Sequence, residues 1–176
     1  MWWWGGSGTG KTTIAREIFK DEYVKQFEYT HDSVIDDMPK CDMKDIEQMF
    51  YAVGFGSVPS WLKPYSVLSN GEKMRVDLAR ALLEQDRVCF DEFTSVVDRQ
   101  VAETMCIATN KAIKRTGKQF IAVTCHYDVL EWLDADWIFD TNKMTMVFHK
   151  AHDNHMSTLS DNVGVKNGKS LGVITI

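Results

Sequence analysis

A run of small residues near the start of the sequence carries its clearest chemistry. Gly5-Gly6-Ser7-Gly8-Thr9-Gly10-Lys11-Thr12 fits G-x-x-x-x-G-K-[ST] at every fixed position. Glycines in such a run let consecutive backbone N–H groups turn inward around anionic oxygens. A helix starting at its end adds the positive end of its dipole. Lys11 neutralises terminal phosphates as a point charge, and the Thr12 hydroxyl, with Thr13 beside it, suits the Mg²⁺ that bridges them. Residues 5–13 are therefore expected to hold a nucleoside triphosphate.

Other residues narrow the chemistry. Leu68-Ser69-Asn70-Gly71-Glu72 opens a helical run, Lys73-Met-Arg-Val-Asp-Leu-Ala-Arg-Ala-Leu82. An apolar run, Val88-Cys89-Phe90, ends in Asp91-Glu92, and a second, 120–123, ends in Thr124-Cys125-His126. Asp98 lies between them, in Ser95-Val-Val-Asp98. Taken singly, a serine before a helix or an acid at a strand end is also an ordinary helix cap. As an ordered set, these segments resemble the ATP-binding cassette (ABC) ATPases: phosphate loop, signature motif, Walker B strand with its glutamate, D-loop and switch histidine.

The resemblance implies a role for each matched residue. Asp91 would hold Mg²⁺ together with Thr12, and Glu92 would activate the attacking water. His126 would contact the γ-phosphate, and Asp98 would couple two sites. Ser69 and Gly71 would cap the ATP of a second copy, because a signature helix N-terminus is a second anion site. ATP, Mg²⁺ and an ATP-dependent homodimer follow as expectations. Asn70 and Glu72 depart from the usual L-S-G-G-Q. The stretch from Lys11 to Ser69 is short for the ATPase subunit of a transporter, and neither Gln26 nor Gln48 follows a convincing strand. An antiparallel region ahead of the phosphate loop is missing from this order, so a partner chain could supply it. The pattern is more similar to compact ABC-type ATPases of phages and mobile elements. A phosphotransferase and a transporter ATPase subunit stay as alternatives, as does the question of what work ATP drives.

Elements must position these groups. Short apolar runs alternating with helical periodicity predict an α/β phosphate-loop fold, a largely parallel sheet flanked by helices, with a reduced helical insertion. Trp2-Trp3-Trp4 reads as a very short strand, 11–20 as a helix and Val34-Ile35 as a short strand. Helical spacing covers 43–53, 70–83 and 99–115, the last closed by Gly117, and 54–64 reads as loop. A hairpin around Thr141-Asn142-Lys143 follows, and a strand is expected over 173–176. The ATPase domain is assigned to residues 1–150 and a C-terminal extension to 151–176.

With 44% hydrophobic and 26% charged residues, a net charge of −5 and no long apolar run, the chain reads as globular, without a membrane partner. The acidic balance gives no support to nucleic-acid binding. Cys41, Cys89, Cys106 and Cys125 form no C-x-x-C pair, which points to free thiols and a cytoplasmic setting. Four further features stay secondary. The Asp36-Asp37 pair reads as a solvated turn rather than a metal sensor, and the tryptophans as core rather than an adenine stack. His149, His152 and His155 lack a carboxylate or thiol set around them. The Lys111, Lys114, Arg115, Lys118 cluster suits the end of a helix dipole.

Overall fold

A computed structural model describes residues 10–148 and the backbone of 171–175. The expectations for Trp2-Trp3-Trp4, for Gly5, Gly6, Ser7, Gly8 and Thr9, and for the three C-terminal histidines lie outside the described residues.

The chain runs α1 (Lys11–Ile18), α2 (Met43–Ala52), α3 (Val58–Trp61), a 3₁₀ turn (Tyr65–Val67), α4 (Asn70–Glu84), β1 (Arg87–Phe90), α5 (Arg99–Thr116), β2 (Gln119–Val123), α6 (Asp128–Leu133), β3 (Trp137–Asp140), β4 (Thr145–Phe148) and β5 (Leu171–Thr175). The strands form one sheet in the order β1-β2-β5-β3-β4. Neighbours are parallel except β3 and β4, which close the hairpin expected around Thr141-Asn142-Lys143.

Strand alternation divides the core between the two faces. Val88, Phe90, Phe120 and Ala122 face the layer built by α2, α4, α5 and α6. Cys89, Ile121 and Val123 face the other way, against Ala15 of α1. This period of two is what a sheet covered on both sides requires. Phe90, Phe93 and Phe120 pack edge-on or tilted, with ring centroids 5.3–6.5 Å apart. Helix α5 stops where Gly117 turns left-handed, at φ 74°, and its N–H bonds the Ile113 carbonyl.

Three local readings change. Val34-Ile35 is a turn, not a strand. Its N–H groups donate to the Lys63 and Trp61 carbonyls at 3.0 and 3.2 Å, and Val34 is fully buried as an anchor. The segment 54–64 carries the short helix α3, fixed by the Trp61 indole N–H on the Phe55 carbonyl at 2.7 Å. The final strand is β5, and it sits in the middle of the sheet.

The acidic pair lies in a turn, with Asp36 exposed and Asp37 hydrogen-bonded. Asp37 accepts from the Thr30 and His31 backbone N–H groups and contacts His31 Nδ1 at 2.7 Å, with its side chain almost buried. A second pin ties this loop to α4. The Tyr29 and Tyr65 hydroxyls both donate to Asp77, at 2.7 and 2.8 Å, and their rings stack 3.9 Å apart. Burial raises the Asp77 carboxyl above its ordinary range.

Cations near the end of α5 are engaged. Lys114 pairs with Asp134 at 3.0 Å, Arg115 donates to the Gln48 carbonyl, and Lys118 reaches Asp86 and the Gln85 carbonyl. Cys89 and Cys106 are buried and burial pushes both thiols up to about 12, whereas Cys41 is exposed. Among the described residues no helix is long and apolar enough to cross a membrane.

Phe120 is fully buried where the β1 and β2 side chains meet α4 and α5. Phe120→Ala is expected to cost about 3–5 kcal/mol of unfolding free energy, read from the shift of the urea midpoint at constant slope.

Candidate active site

Helix α1 begins at Gly10, whose φ of 84° is left-handed and favours glycine. Lys11 follows as a buried cation at the first helical position, Thr12 is half-buried and Thr13 exposed. A run of α1 N–H groups without intrahelical partners stands there, as at any helix start. Helix α1 packs across β2 and β5.

The acids emerge from β1. The Asp91 carboxylate takes the Tyr23 hydroxyl on Oδ2 at 2.6 Å and the Glu92 N–H on Oδ1 at 2.9 Å. Sequence reasoning missed Tyr23. It reaches the site because its backbone bridges Cys89 in parallel, with the Val24 N–H on the Cys89 carbonyl and the Cys89 N–H on the Glu22 carbonyl. Gln26 lies three residues past this isolated bridge and Gln48 lies inside α2, so neither follows a strand among the described residues. A single bridged residue has no periodicity to detect, which is why the segment did not register as a strand. Burial, then the bond to Asp91, raises the Tyr23 hydroxyl above its ordinary value.

Glu92 is exposed, and its Oε2 accepts the Ser95 hydroxyl at 2.6 Å. Its φ of 53° and the φ of 67° at Thr94 are left-handed, an arrangement that costs about 1–3 kcal/mol per residue and concentrates at functional turns. Thr94 is fully buried, with its hydroxyl unpartnered among the described residues. The Phe93 N–H bonds the Val123 carbonyl at 2.9 Å, locking this turn to the end of β2. From that end the chain continues through buried Thr124, whose Oγ1 accepts the His126 N–H at 3.2 Å. Asp91, Glu92 and His126 thus leave one edge of the sheet on adjacent strands, where α/β sheets place their ligands.

Ser69, Gly71 and Asp98 form a second group. Ser69 caps α4 and Asp98 caps α5, accepting the Val101 N–H at 3.0 Å. A Cβ on Gly71 would stand 3.3 Å from Val101 Cγ1, so the glycine lets the start of α4 approach α5 closely. Glu72, a departure from the motif, completes a capping box. Its Oε2 accepts the Ser69 N–H at 3.0 Å and the Ser69 hydroxyl at 2.9 Å, and Oε1 accepts the Ser60 hydroxyl at 2.9 Å.

The donor set fits Mg²⁺, a hard ion that takes oxygen ligands and keeps much of its shell for waters and phosphates. Asp91 and Thr12 offer such oxygens. Among the described residues there is no cluster of three or more histidines, cysteines and acids that would hold a metal by protein alone.

Two solved structures share the fold. A dimeric structure of MJ0796, a bacterial ABC transporter cassette, superposes with a TM-score of 0.60 at 18% identity, over 77% of each chain. A dimeric post-hydrolysis state of the ATP-binding cassette MJ0796, bound to ADP and Pi, gives 0.60 at 16% identity, over 90% of this chain and 84% of that one. The fold is that of an ABC-type ATPase cassette. In sequence, the chain resembles the ABC-type transporter MDR1 of Aureobasidium melanogenum, 35% identical over 80 residues, which is 45% of this chain and 6% of that protein. The ABC multidrug transporter MDR2 of Trichophyton interdigitale is 33% identical over 92 residues, 52% of this chain and 7% of that protein. The matched part of the chain therefore spans under a tenth of these relatives' length. No family model matches it.

Hydrogen bonds from the Ser69 backbone, opposed by partial burial, hold the Glu72 carboxyl below its ordinary range. Stability from a depressed carboxyl is complete above the ordinary glutamate range and is lost as pH falls through the lowered folded value. Glu72→Gln keeps the box geometry, so its urea midpoint is expected to fall less steeply than the parent's between pH 5 and pH 3 on the approximate scale of glutamate titration. Asp98→Ala, which removes the cap of α5, is expected to lose about 1 kcal/mol by the same measurement.

Proposed function

We propose that the chain binds ATP with Mg²⁺ and hydrolyses it as a head-to-tail dimer, each copy's phosphate loop facing the signature helix of the other. The observation that carries this is the convergence of Asp91 and Glu92 from β1 and His126 from β2 on one sheet edge, locked by the Phe93–Val123 bond.

Residues 5–12 would wrap the phosphates, with Lys11 on the terminal ones. Thr12 and Asp91 would hold Mg²⁺, which supplies charge neutralisation between phosphate oxygens when bound. Tyr23 orients the Asp91 carboxylate for this. Glu92 would take a proton from the attacking water, its carboxylate held by the Ser95 hydroxyl. His126 would donate to the transferred phosphoryl group. Ser69 and Gly71 would meet the same phosphates from the second copy, and Asp98, packed beside Gly71 through the α5 start, would link the two sites.

Glu72 sets a condition on that encounter. The Ser69 hydroxyl is already donated to a carboxylate that lies at the α4 N-terminus. An incoming phosphate must replace that carboxylate as acceptor.

The task that ATP drives is proposed to be non-transport, in the manner of compact soluble cassettes. The names of the fungal relatives favour a second reading, the ATPase part of a transporter. Sedimentation of the expressed chain with membranes of its source cell supports the second reading, and recovery in the supernatant supports the first.

The deciding experiment is the solution mass of Glu92→Gln with and without Mg-ATP. A shift from monomer to dimer with nucleotide is expected, together with a loss of hydrolysis of at least ~10²-fold, the usual scale for a general base. ATP binding at unchanged mass would overturn the sandwich, and wild-type hydrolysis would overturn the role of Glu92.

A further inference from the structure

The Asp91 carboxylate is held by its own chain before any ion reaches it. Tyr23 stands beside Cys89 in parallel register, and Asp91 lies two residues further along. Two residues of strand span roughly 6.6 Å, a step that a tyrosine side chain bridges and a serine or threonine does not. The Tyr23 hydroxyl closes that step at 2.6 Å from Asp91 Oδ2. The ring itself has little freedom. It packs against the Ala15, Cys89, Ile121 and Val123 cluster, and the Arg16 guanidinium lies over it, 5.0 Å from its centroid. The backbone is fixed too, with the Tyr23 N–H on the Phe19 carbonyl at 2.8 Å and Glu22 paired to Arg87 at 2.9 Å. Arg16 from α1, Tyr23 from the segment beside β1 and Asp91 at the end of β1 thus form one chain of contacts.

That chain has a chemical consequence. Each carboxylate oxygen has room for about two partners. Oδ2 already takes the Tyr23 hydroxyl and Oδ1 the Glu92 N–H, so about one place per oxygen stays open. Divalent ions use a carboxylate in different ways. Ca²⁺ collects roughly six to eight oxygens in flexible geometry and often takes both oxygens of one carboxylate. Mg²⁺ is smaller, holds to octahedral geometry, keeps several waters and needs a carboxylate at a single position. Donors on both oxygens oppose chelation and leave single-oxygen contact open.

We propose that Tyr23 selects the ion accepted at Asp91. Its hydroxyl on Oδ2 disfavours Ca²⁺, which would chelate the carboxylate through both oxygens, and leaves the Mg²⁺ mode intact. Arg16 acts through Tyr23 by holding the ring. Both are positioning residues rather than ligands. The inference rests on the reading of Asp91 as an Mg²⁺ ligand beside bound ATP, and it adds ion choice to the orienting role of Tyr23.

Tyr23→Phe keeps the ring and removes the hydroxyl. Binding of a fluorescent ATP analogue to the whole chain is measured in MgCl₂ and in CaCl₂ at equal concentration, beside the urea midpoint of each protein. The parent is expected to bind more tightly with Mg²⁺. In Tyr23→Phe the ratio of the two affinities is expected to fall at least ~5-fold, the scale of one net hydrogen bond, with most of the change on the Ca²⁺ side. A hydroxyl with a structural role alone would shift both affinities alike. An unchanged ratio in a folded Tyr23→Phe chain therefore overturns the proposal, and so does a parent without preference. Arg16 is exposed, so Arg16→Met tests the same contacts without opening the core. The ratio is expected to fall in the parent background and to stay unchanged in the Tyr23→Phe background. Equal shifts in both backgrounds overturn the part given to Arg16. If Tyr23→Phe unfolds, Arg16→Met decides alone, and an unchanged ratio overturns the proposal. A parent that binds the analogue with neither ion overturns the ATP reading, and this inference falls with it. A parent that prefers Mg²⁺, with variants that keep the same preference, overturns ion selection only.

Discussion

The pairing of β1 with β2 is the constraint on which the site depends. Phe90 stands beside Ala122, and three residues past Phe90 the Phe93 N–H reaches the Val123 carbonyl. Two parallel strands in register release their chains at the same height, so the acids after β1 and the histidine after β2 share an edge. Neither strand could slip by one residue without exchanging the large Phe90 and Phe120 rings with Cys89 and Ile121 between the two core faces, because side chains alternate with a period of two. The hydrophobic core and the polar edge are therefore fixed by one register.

Strain is placed where that register ends. Glu92 and Thr94 both adopt left-handed backbone within four residues of β1. The buried strands, the Phe93 bond to Val123 and the Ser95 hydroxyl on Glu92 hold the turn in that shape. A turn held this way presents a carboxylate without leaving it to a flexible rotamer search, which is what preorganised chemistry requires. Asp91 is similarly restrained, by the Tyr23 hydroxyl on one oxygen and the Glu92 N–H on the other.

The signature region shows how a motif departure can have a local cause. The Glu72 carboxylate accepts the Ser69 N–H and hydroxyl at the cap of α4 and links that cap, through Ser60, to α3. The helical insertion is joined to the signature helix by this contact and by the two tyrosines on Asp77. Position 72 thus serves the fold of this chain, at the helix start that the proposed dimer would turn toward a phosphate.

Much of this was legible in the sequence. The start of α1 after a glycine run, the Ser69 and Asp98 caps, the strands ending in Asp91-Glu92 and Thr124-Cys125-His126, the stop at Gly117 and the β3–β4 hairpin all follow from local chemistry. Caps, turns and apolar periodicity act over a few residues and leave a mark there. What tertiary structure decided was long-range. Tyr23 meets Asp91 through one bridge that no periodicity announces. Val34 and Ile35 look like a strand but bond the 61–63 backbone as a buried turn. β5, legible as a strand, gave no sign of its neighbours, because backbone pairing depends on which strand edges remain open once the rest of the sheet has formed. Residue types determined the groups that can do chemistry, and the sheet decided which of them meet.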